Sequence, residues 1–149
     1  MRIHLNIGSN QGDRKAIIGR AAALIARALA PCTLYLSDYV ESEPWGYDSP
    51  HTFLNRGILV ITRHTIAPAD VLDATQHIEQ LIGASTPHRN PDGSYRDRLI
   101  DIDIIDIDHI TLDTPRLTLP HPRAHLRPFV TGPMRQLDDT HPVQVVSHI

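Results

Sequence analysis

The chain lacks the features that mark secreted, membrane or nucleic-acid-binding proteins. Its single cysteine, Cys32, cannot form a disulfide within the chain, which suits the reducing cytoplasm. No apolar run approaches the roughly 20 residues that cross a bilayer, and the N-terminal residues 1–8 are too few and too polar for a signal peptide. The formal net charge of −3 lacks the basic excess of a general nucleic-acid binder. We expect a cytoplasmic protein without membrane or nucleic-acid partners.

The length predicts one domain over residues 1–149. A chain of this size can bury roughly 70% of its unfolded surface, so it needs no disulfide or structural metal, and we expect a monomer. Apolar periodicity predicts seven elements in chain order. They are a strand at 2–7, a helix after Asp13, strands at 33–41 and 53–63, a helix from Pro68 to Gly83, a strand from Arg98 onwards and a short helix around 130–137. The order β-α-β-β-α-β predicts an α+β, ferredoxin-like fold, with an antiparallel sheet, helices packed on it and a short C-terminal helix.

Polar segments separate these elements. Residues 8–13 are expected to end the first strand, with Asp13 as the N-cap of the helix that follows. Residues 42–52 and 84–97 are expected to be loops. The second is long for a connection inside a compact domain, and such loops are often functional.

Two acidic residues in the fourth strand carry the strongest chemical signal. Side chains at i and i+2 of a strand share a face, so Asp101 and Asp103 lie side by side, opposite Ile100, Ile102 and Ile104. Two neighbouring carboxylates repel each other unless a cation offsets the repulsion. Mg²⁺ prefers one or two carboxylates together with phosphate oxygens, and Arg98 nearby would suit a phosphate group.

A change of phase follows the acidic pair. The adjacent Ile104 and Ile105 break the alternation, so Asp106 and Asp108 are predicted to lie in the strand exit and an exposed turn. Among the ten histidines, only His121 belongs to a candidate site. The other nine are expected to be ordinary surface residues.

The chain resembles the 6-hydroxymethyl-7,8-dihydropterin pyrophosphokinase family. No single segment is decisive, but six occur in the family's order over residues 5–135. They are Ile7-Gly8-Ser9-Asn10, Ser42-Glu43-Pro44-Trp45-Gly46 with Phe53-Leu54-Asn55, Thr75-Gln76-His77-Ile78-Glu79, Asp97-Arg98-Leu99-Ile100-Asp101-Ile102-Asp103, Arg116-Leu117-Thr118-Leu119-Pro120-His121 and Arg127-Pro128-Phe129.

The resemblance implies a reaction and its reactants. The family transfers diphosphate from MgATP to the hydroxymethyl group of the reduced pterin and releases AMP, a step of folate biosynthesis. Two Mg²⁺ ions held by Asp101 and Asp103 would bridge the triphosphate. Loops at 8–12, 42–52 and 84–97 would close over ATP and the pterin and exclude water.

The resemblance also assigns roles to individual side chains. Asp101, Asp103 and Arg98 match the catalytic residues. Residues that match the ATP site are Gln76, Glu79, Arg98, Ile104, Arg116, Thr118, His121 and Arg127. Residues that match the pterin site are Ser42, Trp45, Phe53, Asn55 and Phe129, the two phenylalanines stacking on the ring.

Alternatives stay open at this point. Segment 84–97 departs from the family pattern, and Arg89 or Arg96 could replace its usual loop contacts. A non-catalytic ferredoxin-like module that binds a nucleotide or metal would carry the same acidic strand. A structural or partner-binding domain is a third possibility. Independently of these, Phe53 and Phe129 could be core residues and Glu79 a surface carboxylate.

Overall fold

The fold is built on a five-stranded antiparallel sheet. A computed structural model describes residues 1–43, 51–83 and 99–149. Its strands are β1 (Arg2–Ser9), β2 (Cys32–Ser42), β3 (Phe53–Thr62), β4 (Asp101–Ile107), β5 (Leu112–Asp113), β6 (Thr118–Leu119) and β7 (Gln144–His148), and its helices are α1 (Arg14–Ala28), α2 (Pro68–Gly83) and α3 (Pro128–Asp138). The sheet order is β4-β1-β3-β2-β7, and β5 pairs with β6 separately.

This architecture confirms the α+β, ferredoxin-like prediction. The first six predicted elements occur in the expected order, with bounds that differ by at most two residues except in β4, which begins at Asp101 and not at Arg98. As predicted, Asp13 caps α1, where its Oδ1 accepts a hydrogen bond from the Ala16 backbone N at 3.2 Å, and α2 begins at Pro68. Strand β7, which extends the sheet beyond β2, was not predicted.

The main core lies between the sheet and two helices. Apolar side chains of β1, β3 and β4 pack there against α1 and α2, with Ile3, Leu5, Ile7, Ile18, Ile25, Ile58, Val71, Ile78, Ile102 and Ile104 among the buried residues. Helix α3 packs against β2 and β3. Its Val130 forms a second small cluster with Ile105 and Ala124. Consecutive isoleucines of β4 therefore serve two different cores.

A β-bulge explains this double use of β4. Leu5 of β1 lies opposite Ile104, whereas His4 lies opposite Asp106, so β4 contains one additional residue at Ile105. The phase change predicted at Ile104 and Ile105 is thus present as a bulge within the strand.

Three predictions near this strand need correction. Asp106 was expected in an exposed turn, but β4 continues to Ile107 and Asp106 is only 7% exposed. Its Oδ2 accepts a hydrogen bond from the His109 backbone N at 3.1 Å. Only Asp108, which has a φ of 51° and is exposed, lies in the expected turn.

The second correction concerns His4, which was expected at the surface and is 2% exposed. It lies on β1 opposite Asp106, and its Nε2 is 3.1 Å from Asp138 Oδ1 of α3. Helix α3 covers this face of the sheet, which the local pattern could not indicate.

The third correction is the end of β1. Gly8 and Ser9 were expected to break the strand, but both pair with β3. A Cβ atom on Gly8 would lie 3.0 Å from Asn55 Oδ1 and 3.3 Å from Phe53 Cδ1. Glycine thus serves a close approach between strands here, not a turn.

Candidate active site

The two aspartates of β4 lie as the alternation predicts. Asp101 and Asp103 are partly exposed, while Ile100, Ile102 and Ile104 are buried in the main core. Among the described residues β4 is at the edge of the sheet, and no other described strand covers its outer side. The strand can therefore present both carboxylates to a ligand at this edge.

An open pocket of about 420 Å³ follows this edge. Helix α2, strand β4 and the segment 116–122 form its walls. The pocket is lined by Leu72, Gln76, Glu79, Asp101, Ile102, Asp103, Ile104, Arg116, Leu117, Thr118, His121 and Pro122. Eight predicted ATP-site or metal-site residues are thus brought together from three segments of the chain. They are Gln76, Glu79, Asp101, Asp103, Ile104, Arg116, Thr118 and His121.

Two hydrogen bonds hold these walls against β4. Glu79 Oε2 accepts from the Ile102 backbone N at 3.0 Å, which attaches α2 to the peptide between the two aspartates. The His121 backbone N donates to the Ile105 carbonyl oxygen at 2.8 Å, at the bulge of β4. The bulge therefore also helps to place His121 in the pocket.

Arg116 lies at the exposed rim of the pocket. Its Nη2 is 2.7 Å from Asp73 Oδ1 and donates to Gln76 Oε1 at 3.3 Å. Both charged side chains are more than half exposed, so this ion pair adds little stability. An incoming anion could draw the guanidinium away at small cost.

Arg127 lies beside the acidic pair, and His121 lines the pocket. Arg127 Nη1 is 3.6 Å from Asp103 Oδ2, and its Cζ is 5.8 Å from the centre of the Phe129 ring. Burial lowers the pKa of His121, and the Arg127 and Arg123 charges lower it further, against the opposing effect of Asp101. His121 is therefore neutral near pH 7 and can donate one hydrogen bond and accept another.

The predicted pterin residues form a second group on the same sheet. Asn55, which is 3% exposed, donates through Nδ2 to Ser42 Oγ at 2.8 Å and to the Val40 carbonyl oxygen at 3.1 Å. Phe53 lies opposite Ser42 on the neighbouring strand and is partly exposed, as is Phe129 at the start of α3.

The strand register connects the two groups. Gly8 of β1 lies opposite Asn55 of β3 on one side and opposite Asp101 of β4 on the other. Paired residues point to the same face, and strands are about 4.8 Å apart, so Asn55 and Asp101 lie roughly 10 Å apart. With no side chain at Gly8, Asn55 and Phe53 can lean over β1 towards the aspartates.

Several predicted residues lie outside the described part of the chain, namely Arg98, Trp45, Arg89 and Arg96, together with all of the predicted loop 84–97 and residues 44–50 of the predicted loop 42–52. Sequence reasoning in turn missed Leu72 and Leu117, which supply apolar walls of the pocket. Leu72 belongs to the apolar periodicity that predicts α2, and periodicity alone does not distinguish a core residue from a pocket residue.

The donor set fits Mg²⁺ bound together with a phosphate. Within the described ranges, no group of three or more histidine, cysteine or acidic side chains could hold a metal by itself. Mg²⁺ needs only one or two carboxylates when phosphate oxygens and water complete its shell. Asn6, opposite Asp103, also has a buried Oδ1 that accepts no hydrogen bond from the described residues.

The fold and the pocket define an α+β enzyme of phosphate-group transfer. The model of the family described as 7,8-dihydro-6-hydroxymethylpterin-pyrophosphokinase (HPPK) matches residues 4–139. The chain therefore belongs to this family, and it is an ATP-dependent diphosphokinase.

Curated relatives agree with this assignment. Three bacterial proteins named 2-amino-4-hydroxy-6-hydroxymethyldihydropteridine pyrophosphokinase are similar to the chain. The Porphyromonas gingivalis protein is 38% identical over 133 residues, which cover 89% of this chain and 87% of the relative. The Bacillus subtilis protein is 31% identical, covering 90% and 76%, and the Mycobacterium bovis protein is 32% identical, covering 93% and 73%.

No helix in the described part of the chain is long and apolar enough to span a bilayer.

Proposed function

We propose that this chain transfers diphosphate from MgATP to the hydroxymethyl oxygen of 6-hydroxymethyl-7,8-dihydropterin, in folate biosynthesis, and releases AMP. The observation that carries the proposal is the pocket at β4, where the acidic pair of β4, polar side chains of α2 and the basic side chains of Arg116 and His121 converge. No covalent nucleophile is required, because positioning and electrostatic stabilisation account for most of the catalysis in phosphoryl transfer.

Asp101 and Asp103 are the proposed ligands of two Mg²⁺ ions. When bound, the ions neutralise phosphate charge as it develops during transfer. The two carboxylates supply the negative charge that attracts the ions, and the contact between Glu79 and Ile102 keeps the intervening peptide in place. Arg127, 3.6 Å from Asp103, already holds positive charge at this carboxylate.

The ATP site is proposed along the pocket beside α2. Leu72, Ile104 and Leu117 offer apolar surface, and Gln76, Glu79 and Thr118 offer hydrogen-bonding groups. Arg116 and His121, with Arg127 and Arg98 from outside the lining, are the proposed phosphate contacts. Such charge-assisted bonds are about twice as strong as neutral ones.

The pterin site is proposed on the other side of Gly8. Phe53 and Phe129 would stack on the two faces of the ring. Asn55 would read the polar edge with Ser42, and Trp45 is the further proposed contact. The register of Asn55, Gly8 and Asp101 supports this placement, because it would bring the pterin's reactive hydroxyl towards the aspartates.

The proposal also covers the oligomeric state, the cellular location and the partners of the protein. We infer that residues 1–149 work as a single-domain monomer in the cytoplasm, without nucleic-acid or membrane partners. The net charge of −3 and the buried, unpaired Cys32 support this setting. A sedimentation mass of twice the chain mass would contradict the monomer.

A coupled assay tests the reaction. Purified protein is mixed with ATP and the reduced pterin alcohol, with and without Mg²⁺, and AMP is measured. The proposal predicts AMP only when protein, pterin and Mg²⁺ are all present. Binding of MgATP and pterin with no AMP release would contradict it and favour the non-catalytic module.

A further inference from the structure

The side chain of Arg14 connects α1 to both ends of the segment between β2 and β3. Arg14 is the first residue of α1. Its Nη1 donates to the Thr52 carbonyl oxygen at 3.1 Å and to Thr52 Oγ1 at 3.2 Å. Its Nη2 donates to Glu41 Oε1 at 3.4 Å, and the arginine side chain is 30% exposed. One planar guanidinium thus bonds two separate chain segments, which a single ammonium group does poorly.

These contacts lie beside the residues proposed to bind the pterin. Glu41 stands between Val40 and Ser42, whose oxygens both accept from Asn55 Nδ2. Thr52 immediately precedes Phe53 in the chain. Arg14 therefore holds the chain beside Ser42 at the end of β2 and beside Phe53 at the start of β3.

The ATP pocket does not share these contacts. Neither Arg14 nor its two partners is among the residues that line the pocket at β4. In the sheet order, β1 and β3 lie between β4, which borders the pocket, and β2, which contains Glu41. Arg14 instead lines a separate cavity of about 400 Å³ with Asn10, Gln11, Gly12, His51 and Thr52.

We propose that Arg14 is a positioning residue for the reduced pterin, acting through Thr52 and Glu41 without contacting the substrate. The inference rests on the proposed function, because that function assigns the pterin to Phe53 and Asn55. Without the guanidinium, Glu41 and Thr52 lose their shared partner, so pterin binding must also order the chain beside Ser42 and Phe53, and this ordering weakens affinity. Loss of Arg14 should therefore raise the KM for pterin and leave the KM for ATP unchanged.

Four single variants and one double variant of the full chain test the inference. Arg14→Gln removes the charge and the fork, and Arg14→Lys keeps the charge but not the fork. Thr52→Val removes one acceptor and leaves the carbonyl oxygen. Arg20→Gln is the matched control, because it removes the same charge from an exposed position of α1.

Steady-state KM values for pterin and for ATP are measured for each, with thermal unfolding midpoints. We expect Arg14→Gln to raise the pterin KM about tenfold, as for the loss of a charge-assisted hydrogen bond. The pterin KM of Arg14→Lys should lie between those of Arg14→Gln and the wild type, and the pterin KM of Arg20→Gln should equal that of the wild type. The pterin KM of the double variant Arg14→Gln/Thr52→Val should not exceed that of Arg14→Gln, since both substitutions remove the same contact between Arg14 and Thr52.

Two outcomes would overturn the positioning role. One is an equal rise of both KM values, and the other is a lower unfolding midpoint with an unchanged pterin KM. Neither outcome would contradict the proposed reaction. That proposal is contradicted only if the wild-type protein forms no AMP from ATP and pterin.

Discussion

The close contact between α3 and the sheet makes Gly57→Ala an informative change. A Cβ atom at Gly57 would lie 2.6 Å from Pro133 Cβ. Non-bonded carbons prefer roughly 3.5–4.0 Å, so α3 must move outward by about 1 Å. Pro133 has a rigid ring inside the helix, and it cannot turn away as a flexible side chain would.

The expected result is a loss of about 1–3 kcal/mol in the free energy of unfolding, typical of an overpacked core. The same shift displaces Phe129 and Arg127 at the start of α3, so the KM values for pterin and ATP should both rise. Urea unfolding followed by circular dichroism measures the stability, and the AMP assay measures the KM values.

Gly19→Ala is the matched control. A Cβ atom there meets nothing within 4 Å, and Gly19 lies exposed inside α1. Alanine should therefore stabilise the protein by about 0.5–1 kcal/mol. A Gly57→Ala protein as stable as wild type would refute the close packing of α3 on β3.

Three further predictions follow from single side chains. Asp13→Ala removes the cap of α1 and should lower the free energy of unfolding by about 1 kcal/mol in a urea titration; an unchanged value would mean that the cap contributes nothing. Burial lowers the pKa of His4 although Asp138 opposes the shift. Below about pH 6.5 His4 therefore binds a proton more readily in the unfolded chain than in the folded protein. Protonation then favours unfolding, so the free energy of unfolding falls as the pH falls below about 6.5. His4→Gln should flatten that loss in urea titrations at pH 7.5 and 5.5, and an equal loss in both proteins would contradict the assignment. Asn55→Ala should weaken equilibrium binding of the pterin, and unchanged pterin affinity would count against its role.

Local periodicity predicted the elements with strong patterns. Alternation in β1 and β4, the Asp13 cap and Pro68 at the start of α2 are all signals within a few residues of chain. The pair Ile104 and Ile105 indicated a change of phase at the correct place, although it was interpreted as the end of the strand and is a bulge within it. Asp101 and Asp103 were placed on one face for the same reason, since strand geometry alone dictates it.

Features that depend on distant contacts could not be predicted in this way. Burial of His4 and Asp106 requires α3 to cover a sheet face that sequence alternation leaves undetermined. Gly8 looked like a strand terminator, because its close approach to Asn55 becomes visible only once β1 and β3 are paired. The contacts of Arg14 likewise join residues 27 and 38 positions apart.

The central claim is that Asp101 and Asp103 hold the cations which bind the phosphates of ATP. Mg²⁺-dependent AMP formation by Asp101→Ala and Asp103→Ala tests it most directly, with circular dichroism to check the fold. We predict that turnover is abolished in both variants while the fold stays nearly intact. Normal Mg²⁺-dependent turnover in either folded variant would contradict the claim.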